Sequence, residues 1–296
     1  MFSPYAHPAP ACVLHLSANL NGRDFVVGDI HGSYNTVLAA MKAANFDGSR
    51  DRLFSVGDLI DRGRDSWRCA AFLAQPYVYA ILGNHEDMLL DLYKDGEFDE
   101  AVLRFMASRS GFGWWLDTPR EKRAEIIDAL RKLPNVIELE TARGTVGLVH
   151  ADIPAGMNWQ TFVAKLEAGD PDVRKTSLWG RERIQGNNMD GVEGIGRVFV
   201  GHTIEWNGLK RRGNVYCIDT GSIHGEEGRK EGGRLTFANM ACKTGLLEGA
   251  PPKKGLFDVR DNPEGTEPDA LGPFGTYARP YAPAFTAPYS PKSNSR

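Results

Sequence analysis

Residues 25–32 read Phe-Val-Val-Gly-Asp-Ile-His-Gly, and residues 53–63 read Leu-Phe-Ser-Val-Gly-Asp-Leu-Ile-Asp-Arg-Gly. In each stretch a short apolar run, typical of a strand buried on both faces, ends in a glycine and an aspartate. Three later runs end in the same way, at Gly83-Asn84-His85, at His150 and at Gly201-His202. Because ligands bind outside the carboxyl ends of strands in α/β sheets, we expect the five strands to deliver these side chains to one edge.

Around these motifs, β-rich runs alternate with helical patterns, which predicts an α/β layered fold. The predicted strands are 25–27, 53–56, 77–82, 146–149, 198–200 and 215–218. The predicted helices are 34–45, 66–74, 86–93, 99–107, 120–133 and 159–167. The block from 86 to 133 is predicted to be a helical insertion. The last two strands, 214–219 and 234–239, are predicted to be antiparallel neighbours.

The composition is that of an ordinary soluble globular protein, with 296 residues of which 42% are hydrophobic and 25% are charged. The net charge of −3 argues against a nucleic-acid partner, because such proteins are usually basic. No apolar run is long enough to span a bilayer, so no membrane partner is expected. Four widely spaced cysteines without a Cys-x-x-Cys pair indicate reduced thiols, and the sequence therefore predicts a cytoplasmic protein.

Proline is concentrated at the two ends of the chain. Three of the 17 prolines lie in residues 1–10 and nine in residues 251–296. The sequence therefore predicts an N-terminal extension over 1–22, a catalytic domain over 23–250 and a Pro-rich extended tail over 251–296.

The strand-end side chains include an Asp-x-His pair, a second Asp, an Asn and two further His. Six such donors are too many for one tetrahedral zinc, and their oxygen content suits a pair of Mn, Fe or Zn ions. Two metals held roughly 3.5–4 Å apart need a bridging carboxylate, and Asp58 is the candidate. A metal pair of this kind makes water nucleophilic at neutral pH, which indicates phosphoester hydrolysis.

The ordered series Gly28-Asp29-Ile30-His31-Gly32, Gly57-Asp58-Leu59-Ile60-Asp61-Arg62-Gly63 and Gly83-Asn84-His85-Glu86 resembles the signature of the PPP family of metallophosphoesterases. The chain is most similar to the bacterial and lambda-phage serine/threonine protein phosphatases. The segments 149–152, 179–184, 201–203 and 218–221 add to the likeness, which runs from about residue 24 to 240. The resemblance implies a calcineurin-like β-sandwich flanked by helices, with a helical insertion.

The resemblance also implies a ligand set for two divalent ions, with Mn²⁺ expected first and Fe or Zn as alternatives. It assigns Asp29, His31 and His202 to one metal and Asn84 and His150 to the other. Asp58 would bridge the two.

The catalytic roles follow from the same resemblance. His85 would be the general acid, held protonated and oriented by Asp61. Phosphate would be held by Arg62 and Arg181, because a guanidinium fork matches its oxygens, and the Asn84 side chain could donate to it as well. Arg183 competes with Arg181 for this role.

Four further residues, Glu86, Asp152, Trp114 and Trp115, are expected to have mainly structural roles. Glu86 is expected to favour the start of a helix. Asp152 is expected either to support His150 or to lie on the surface. Trp114 and Trp115 are expected to pack the helical insertion against the sheet, and they are also candidates to wall the substrate groove.

These features predict a protein phosphatase that hydrolyses phosphoserine and phosphothreonine, with phosphotyrosine as a further substrate, by direct attack of a dimetal-bridging hydroxide. Its partners would be phosphoproteins or phosphopeptides. A dinucleoside-polyphosphate hydrolase or phosphodiesterase on the same fold is the alternative, and Asp61 argues against it because the tetraphosphatases tend to lack that residue. An inactive binding module would have lost metal ligands, and here all six are present. The sequence does not specify the oligomeric state.

Overall fold

The computed structural model describes residues 12–94, 100–141, 143–186, 189–226 and 233–240. The predicted tail over 251–296 lies outside these ranges. The strands are β1 (Val13–Leu16), β2 (Asp24–Val27), β3 (Arg52–Ser55), β4 (Val78–Ala80), β5 (Val136–Leu139), β6 (Val146–Val149), β7 (Arg197–Val200), β8 (Lys210–Arg212), β9 (Val215–Cys217) and β10 (Phe237–Asn239).

The helices flank these strands, and residues Arg64–Arg68 form a short 3₁₀ helix. The α-helices are α1 (Tyr34–Ala43), α2 (Cys69–Leu73), α3 (Asn84–Leu92), α4 (Glu100–Ser110), α5 (Gly113–Leu116), α6 (Arg120–Leu130), α7 (Trp159–Glu167), α8 (Pro171–Trp179), α9 (Glu182–Gln185) and α10 (Ser222–Glu226). No helix in the described ranges is long and apolar enough to cross a membrane.

The strands form two sheets. One has the order β1-β5-β6-β7-β9-β8, in which β6, β7 and β9 are parallel. The other has the order β10-β2-β3-β4, in which β2, β3 and β4 are parallel. The predicted α/β fold is confirmed, and the sandwich implied by the family resemblance is present.

The sheets pack face to face because their strands are apolar on both sides. Val26 and Phe54 on one sheet and Phe199 and Tyr216 on the other belong to a single buried cluster between the sheets. Phe25, the neighbour of Val26, points to the opposite face and packs in a second cluster with helices α1 to α6. The parallel strands of both sheets are therefore covered on both faces, as their continuous apolar runs require.

The predicted pairing of the last two strands is wrong. β10 pairs antiparallel with β2, whereas β9 lies in the other sheet between β7 and β8. The two strands are close in the sequence, but the chain crosses from one sheet to the other between them.

Several elements of the described ranges were not predicted, among them β1, β5, β8 and α8. The segment expected to be an N-terminal extension contributes β1, which pairs parallel with β5. Helix α8 begins with signals that the sequence does carry, since Asp170 caps the helix through the backbone N–H of Val173 and Pro171 occupies the first turn.

Candidate metal centre and active site

The site lies where the carboxyl ends of both sheets meet, and not at the edge of a single sheet as the sequence suggested. Strands β2, β3 and β4 of the smaller sheet and β6 and β7 of the larger sheet all end there. The side chains that follow these strands are buried at 7% exposure or less: Asp29, His31, Asp58, Asp61, Asn84, His85, His150 and His202. Face-to-face packing of the sheets therefore brings together residues from distant parts of the chain.

The backbone at this site is strained. Six described residues other than glycine have a positive φ angle, and five of them belong to the candidate site. These five are His31 (46°), Asp58 (50°), Asp61 (70°), Arg62 (65°) and His202 (66°). A left-handed conformation is costly for such residues and persists only where surrounding contacts enforce it, so its concentration here indicates function.

Hydrogen bonds to Glu86 hold part of this strained backbone in place. Its Oε1 accepts hydrogen bonds from the backbone N–H groups of Leu59 and Ile60, and its Oε2 accepts from those of Asp58 and Gly83. Glu86 is fully buried, and it fastens the loop after β3 to the loop after β4. A side chain at Gly83 would overlap Asp58, so the close approach of the two loops requires glycine there. Glu86 was expected only to favour the start of a helix. The structure shows that it also holds two loops of the site together.

Asp58 lies between two groups of potential metal ligands. Its Oδ2 is 3.5 Å from Nε2 of His31, and its Oδ1 is 3.4 Å from Nε2 of His150. Three potential ligands converge on each side, one group being His31, Asp58 and His85 and the other Asp58, His150 and His202. The two oxygens of one carboxylate therefore face two separate groups, as a bridging role requires.

On the first side, two buried polar atoms have no hydrogen-bond partner, namely Oδ1 of Asp29 and Nε2 of His31. The Nδ1–H of His31 donates to the Ile60 carbonyl at 2.8 Å, which leaves a lone pair on Nε2. A carboxylate oxygen and an imidazole lone pair that are both buried and unpaired are the donors that a divalent cation satisfies.

On the second side, the His150 Nδ1–H donates to the Val56 carbonyl at 2.8 Å, so Nε2 presents a lone pair. That nitrogen lies 2.8 Å from Oδ1 of Asn84, which is also 2.8 Å from Nδ1 of His202. The Asp58 carboxylate faces the same point. The His150 Nε2 lone pair, the Asn84 oxygen and the Asp58 carboxylate are acceptors that converge on one point, and such a set fits a divalent cation here too.

The structure groups the His202 ring with other residues than the Asp29 and His31 that the family resemblance assigned to the same metal. The His202 ring lies with Asn84 and His150 on the second side. Its connection to Asp29 is made instead by the backbone, because the His202 N–H donates to Oδ2 of Asp29 at 2.9 Å. The backbone of His202 is therefore close to Asp29, but its imidazole ring points to Asn84 and His150.

Burial controls the charge states of these imidazoles. Desolvation lowers the pKa of His31 and His150, and together with the charge of His150 it lowers the pKa of His202 to about 3. Burial alone would raise the pKa of Asp58, but the positive charge that His150, His85 and His31 carry when protonated outweighs it and places this pKa below its usual range. A divalent cation would supply positive charge in place of those protons, and it binds an ionised carboxylate together with neutral imidazoles.

His85 lies beside the metal groups and has its own carboxylate partner. Its Nδ1 is 2.7 Å from Oδ2 of Asp61, and the Trp114 Nε1–H donates to Oδ1 of Asp61 at 2.7 Å. Burial lowers the pKa of His85, but Asp58 and Asp61 outweigh it, and the net effect raises this pKa above its ordinary value. The arrangement favours a protonated imidazole that is held in one orientation.

His85 Nε2 faces the guanidinium of Arg62. It lies 3.1 Å from Nη2 of Arg62 and 4.0 Å from Oδ2 of Asp58. The backbone N–H of Arg62 donates to the carbonyl of Gly111, so the end of α4 in the helical insertion positions this arginine. The structure thus brings together the two predicted catalytic residues and one of the predicted phosphate-binding arginines.

The two competing arginines have different environments. Arg183 is buried, and its guanidinium donates to Oδ1 of Asp152 at 3.0 Å and to the carbonyls of Ile153 and Asp190. Arg181 is partly exposed, and its Nη1 donates to the His202 carbonyl at 3.0 Å. All three guanidinium nitrogens of Arg183 therefore donate to groups within the protein, which favours Arg181 as the arginine that binds phosphate. Asp152 pairs with Arg183, so its expected support of His150 is not observed.

Three residues contribute to the site in ways that the sequence-based prediction did not include. Trp114, expected to pack the insertion or to wall the substrate groove, also hydrogen-bonds Asp61. Asp219 is buried beside Asp29, and burial together with that like charge raises the pKa of Asp29 well above its usual value. Trp179 is 43% exposed, and its ring meets that of His202 at 5.9 Å. Only the motif 218–221 and the Trp-x-Arg spacing at 179–181 pointed towards two of these residues.

Known proteins share both the fold and much of the sequence. A family model for calcineurin-like phosphoesterases matches residues 25–205. The serine/threonine-protein phosphatase 1 of Salmonella typhimurium is 35% identical over 223 residues, covering 73% of this chain and 91% of that protein. The symmetrical bis(5'-nucleosyl)-tetraphosphatase of Cellvibrio japonicus is 27% identical over 286 residues, covering 75% of this chain and 96% of that protein.

A solved structure resembles the fold as well. The cold-active protein-tyrosine phosphatase of a psychrophilic Shewanella sp. superposes with a TM-score of 0.50 at 18% identity. The match covers 78% of this chain and 79% of that one. At this level of identity the likeness concerns the fold alone.

Proposed function

Because the chain belongs to the calcineurin-like phosphoesterase family, we propose that this metallophosphoesterase hydrolyses phosphoserine and phosphothreonine monoesters in proteins. The observation that carries the proposal is the contact between His85 and Asp61 at 2.7 Å. A serine or threonine alkoxide is a strong base and leaves only if it receives a proton, so its release needs a general acid. A nucleotide leaves as a phosphate, which is a much weaker base and has little need of that proton.

Two divalent ions fit the site, and we propose Mn²⁺ for both. Asp29, His31 and Asp58 would hold the first ion, and Asp58, Asn84, His150 and His202 would hold the second. When bound, such a pair supplies Lewis-acid activation of water and neutralises charge on the phosphoryl group.

The chain's own residues would perform the remaining steps. Arg62 and Arg181 bind the phosphoryl oxygens and orient the ester for attack in line with the leaving oxygen. His85 gives its proton to that oxygen through Nε2 as the bond to phosphorus breaks. Asp61 stabilises the imidazolium before transfer through its contact with Nδ1.

One experiment distinguishes this function from the hydrolysis of dinucleoside tetraphosphates. That activity is the alternative, because a tetraphosphatase is 27% identical to this chain. The full chain is treated with a chelator, reloaded with Mn²⁺ and assayed on a phosphoserine peptide and on diadenosine tetraphosphate. We expect activity to depend on the metal, with a higher kcat/KM for the peptide. His85→Asn should reduce turnover of the peptide much more than turnover of the tetraphosphate. A tenfold or greater preference for the tetraphosphate would instead support the alternative.

A further inference from the structure

Trp179 is a large apolar side chain that the fold leaves partly in solvent. It is 43% exposed, although helix α8 as a whole packs its other face through buried Val173 and Leu178. Its ring contacts His202 at 5.9 Å between centroids, with the two planes at 85°. Trp179 therefore lies one imidazole away from the proposed metal pair and two residues before Arg181.

The chain segment that carries this ring is held by contacts on both sides of Trp179. On the N-terminal side, the Ser177 carbonyl accepts a hydrogen bond of 2.8 Å from Ala151, the residue after His150. On the C-terminal side, Arg181 donates to the His202 carbonyl at 3.0 Å. Between them, a side chain at Gly180 would overlap Asp152, so the helix ends tightly against that loop.

Helix α8 is also attached to the element that carries the general acid. Arg174 of α8 forms an ion pair with Asp87 of α3, two residues after His85, at 2.5 Å. The segment that carries the indole is therefore fixed relative to both the His150 loop and the His85 helix. A ring on a fixed segment gives up only its own side-chain rotation when a ligand binds, which favours affinity.

We propose that Trp179 is a specificity residue that contacts the leaving group and favours phosphomonoesters with an aromatic ring next to the ester oxygen, as in phosphotyrosine. This inference rests on the proposed phosphomonoesterase function. In an aryl phosphate the ring begins at the atom bonded to the ester oxygen, so it lies within about one ring width of a phosphoryl group held by Arg181. Aromatic pairs gain from stacked or edge-on geometry beyond the area that they bury, whereas the short side chain of phosphoserine presents no ring.

The test compares two peptides of the same sequence that differ only in phosphotyrosine or phosphoserine, with alanine on both sides. Trp179→Leu removes the ring and Trp179→Phe keeps one. We expect Trp179→Leu to lower the ratio of kcat/KM for the phosphotyrosine peptide to kcat/KM for the phosphoserine peptide by about 2- to 10-fold, mainly through KM for phosphotyrosine. Trp179→Phe should keep most of the phosphotyrosine activity.

Phe105→Leu is the control, because it alters another exposed aromatic side chain, on α4, and should change neither value. Melting curves of all variants check that the fold is retained, which the partial exposure of Trp179 favours. A loss that is equal for the two peptides, or no loss for either, would overturn this inference while leaving the proposed function intact. A wild-type enzyme that is inactive on both peptides would overturn both.

Discussion

Trp114 donates its indole N–H to Asp61 at 2.7 Å, and the other oxygen of Asp61 lies 2.7 Å from Nδ1 of His85. The helical insertion, to which Trp114 belongs, thus contributes directly to the proposed acid. Asp61 is fully buried, so each of its oxygens needs a donor. The insertion therefore contributes a hydrogen bond to the candidate site as well as packing against the sheet.

Trp114→Phe is expected to weaken the orientation of Asp61 and lower kcat by about tenfold, because an unmet hydrogen bond to a buried charged group costs roughly 1–3 kcal/mol. Steady-state kinetics on a phosphoserine peptide would measure this. Trp115→Phe is the matched control, since its indole donates to the Tyr93 hydroxyl and not to Asp61. Equal kcat values for the two variants would contradict the role of Trp114.

The geometry allows two roles for His85, and His85→Asn distinguishes them. The residue lies with His31 and Asp58 as a potential metal ligand, and it contacts Asp61 as an acid would. If His85 is the acid, kcat should fall by roughly 10²- to 10⁴-fold while two metal ions are still bound. Turnover and metal content would be measured on the same preparation. Loss of one metal ion from the variant would show that His85 is a ligand.

Asp58 lies between the two groups of candidate ligands, so its substitution should affect both metal sites, whereas substitution of a residue in only one group should affect one site. Asp58→Asn should weaken both sites, because each carboxylate oxygen faces a different group. Asp29→Asn should weaken only the first site, and His202→Ala only the second. Calorimetric titration of the metal-free protein with Mn²⁺ gives the number and affinity of the sites. Loss of the same site in Asp29→Asn and His202→Ala would instead support the grouping that the family resemblance implied.

Glu86→Gln is expected to lower the free energy of unfolding by about 2–4 kcal/mol, since two of its four backbone donors would then face an amide group that cannot accept their hydrogen bonds. Affinity for metal should fall as well, because the loop that carries Asp58 loosens. Asp87→Asn is the control. It breaks only the outer ion pair with Arg174, for which about 1 kcal/mol or less is expected.

The two arginines should respond differently to truncation. Arg181→Ala is expected to lower kcat/KM by roughly 10- to 100-fold through a lost charge-assisted bond to phosphate, with little change in Tm. Arg183→Ala should reduce stability by about 3–5 kcal/mol, because Asp152 would remain buried without its partner. Thermal melts and kinetics on both variants would check this, and the reverse pattern would exchange the two roles.

The sequence predicted the parts of the site that are local to each strand. A donor that directly follows a buried strand must lie at the carboxyl end of that strand, whatever the rest of the fold does. For this reason Asp29, Asp58, Asn84, His150 and His202 could all be located from short motifs. The strands that carry them were predicted by the same logic, because a run of apolar residues that ends in glycine specifies its own boundary.

What only the tertiary structure decided is which of these residues meet. Trp114 and Asp61 are 53 positions apart, and His202 and Asn84 are 118 apart. The sequence itself determined the chemical identity of the candidate ligands, the family and the phosphoesterase class, since these depend on side chains next to strand ends. The division of the candidate ligands into two groups, the partial exposure of Arg181 against the burial of Arg183 and the exposed position of Trp179 depend on how two sheets and a helical insertion pack. Packing is set by shape and burial across the whole domain, and no short motif encodes it.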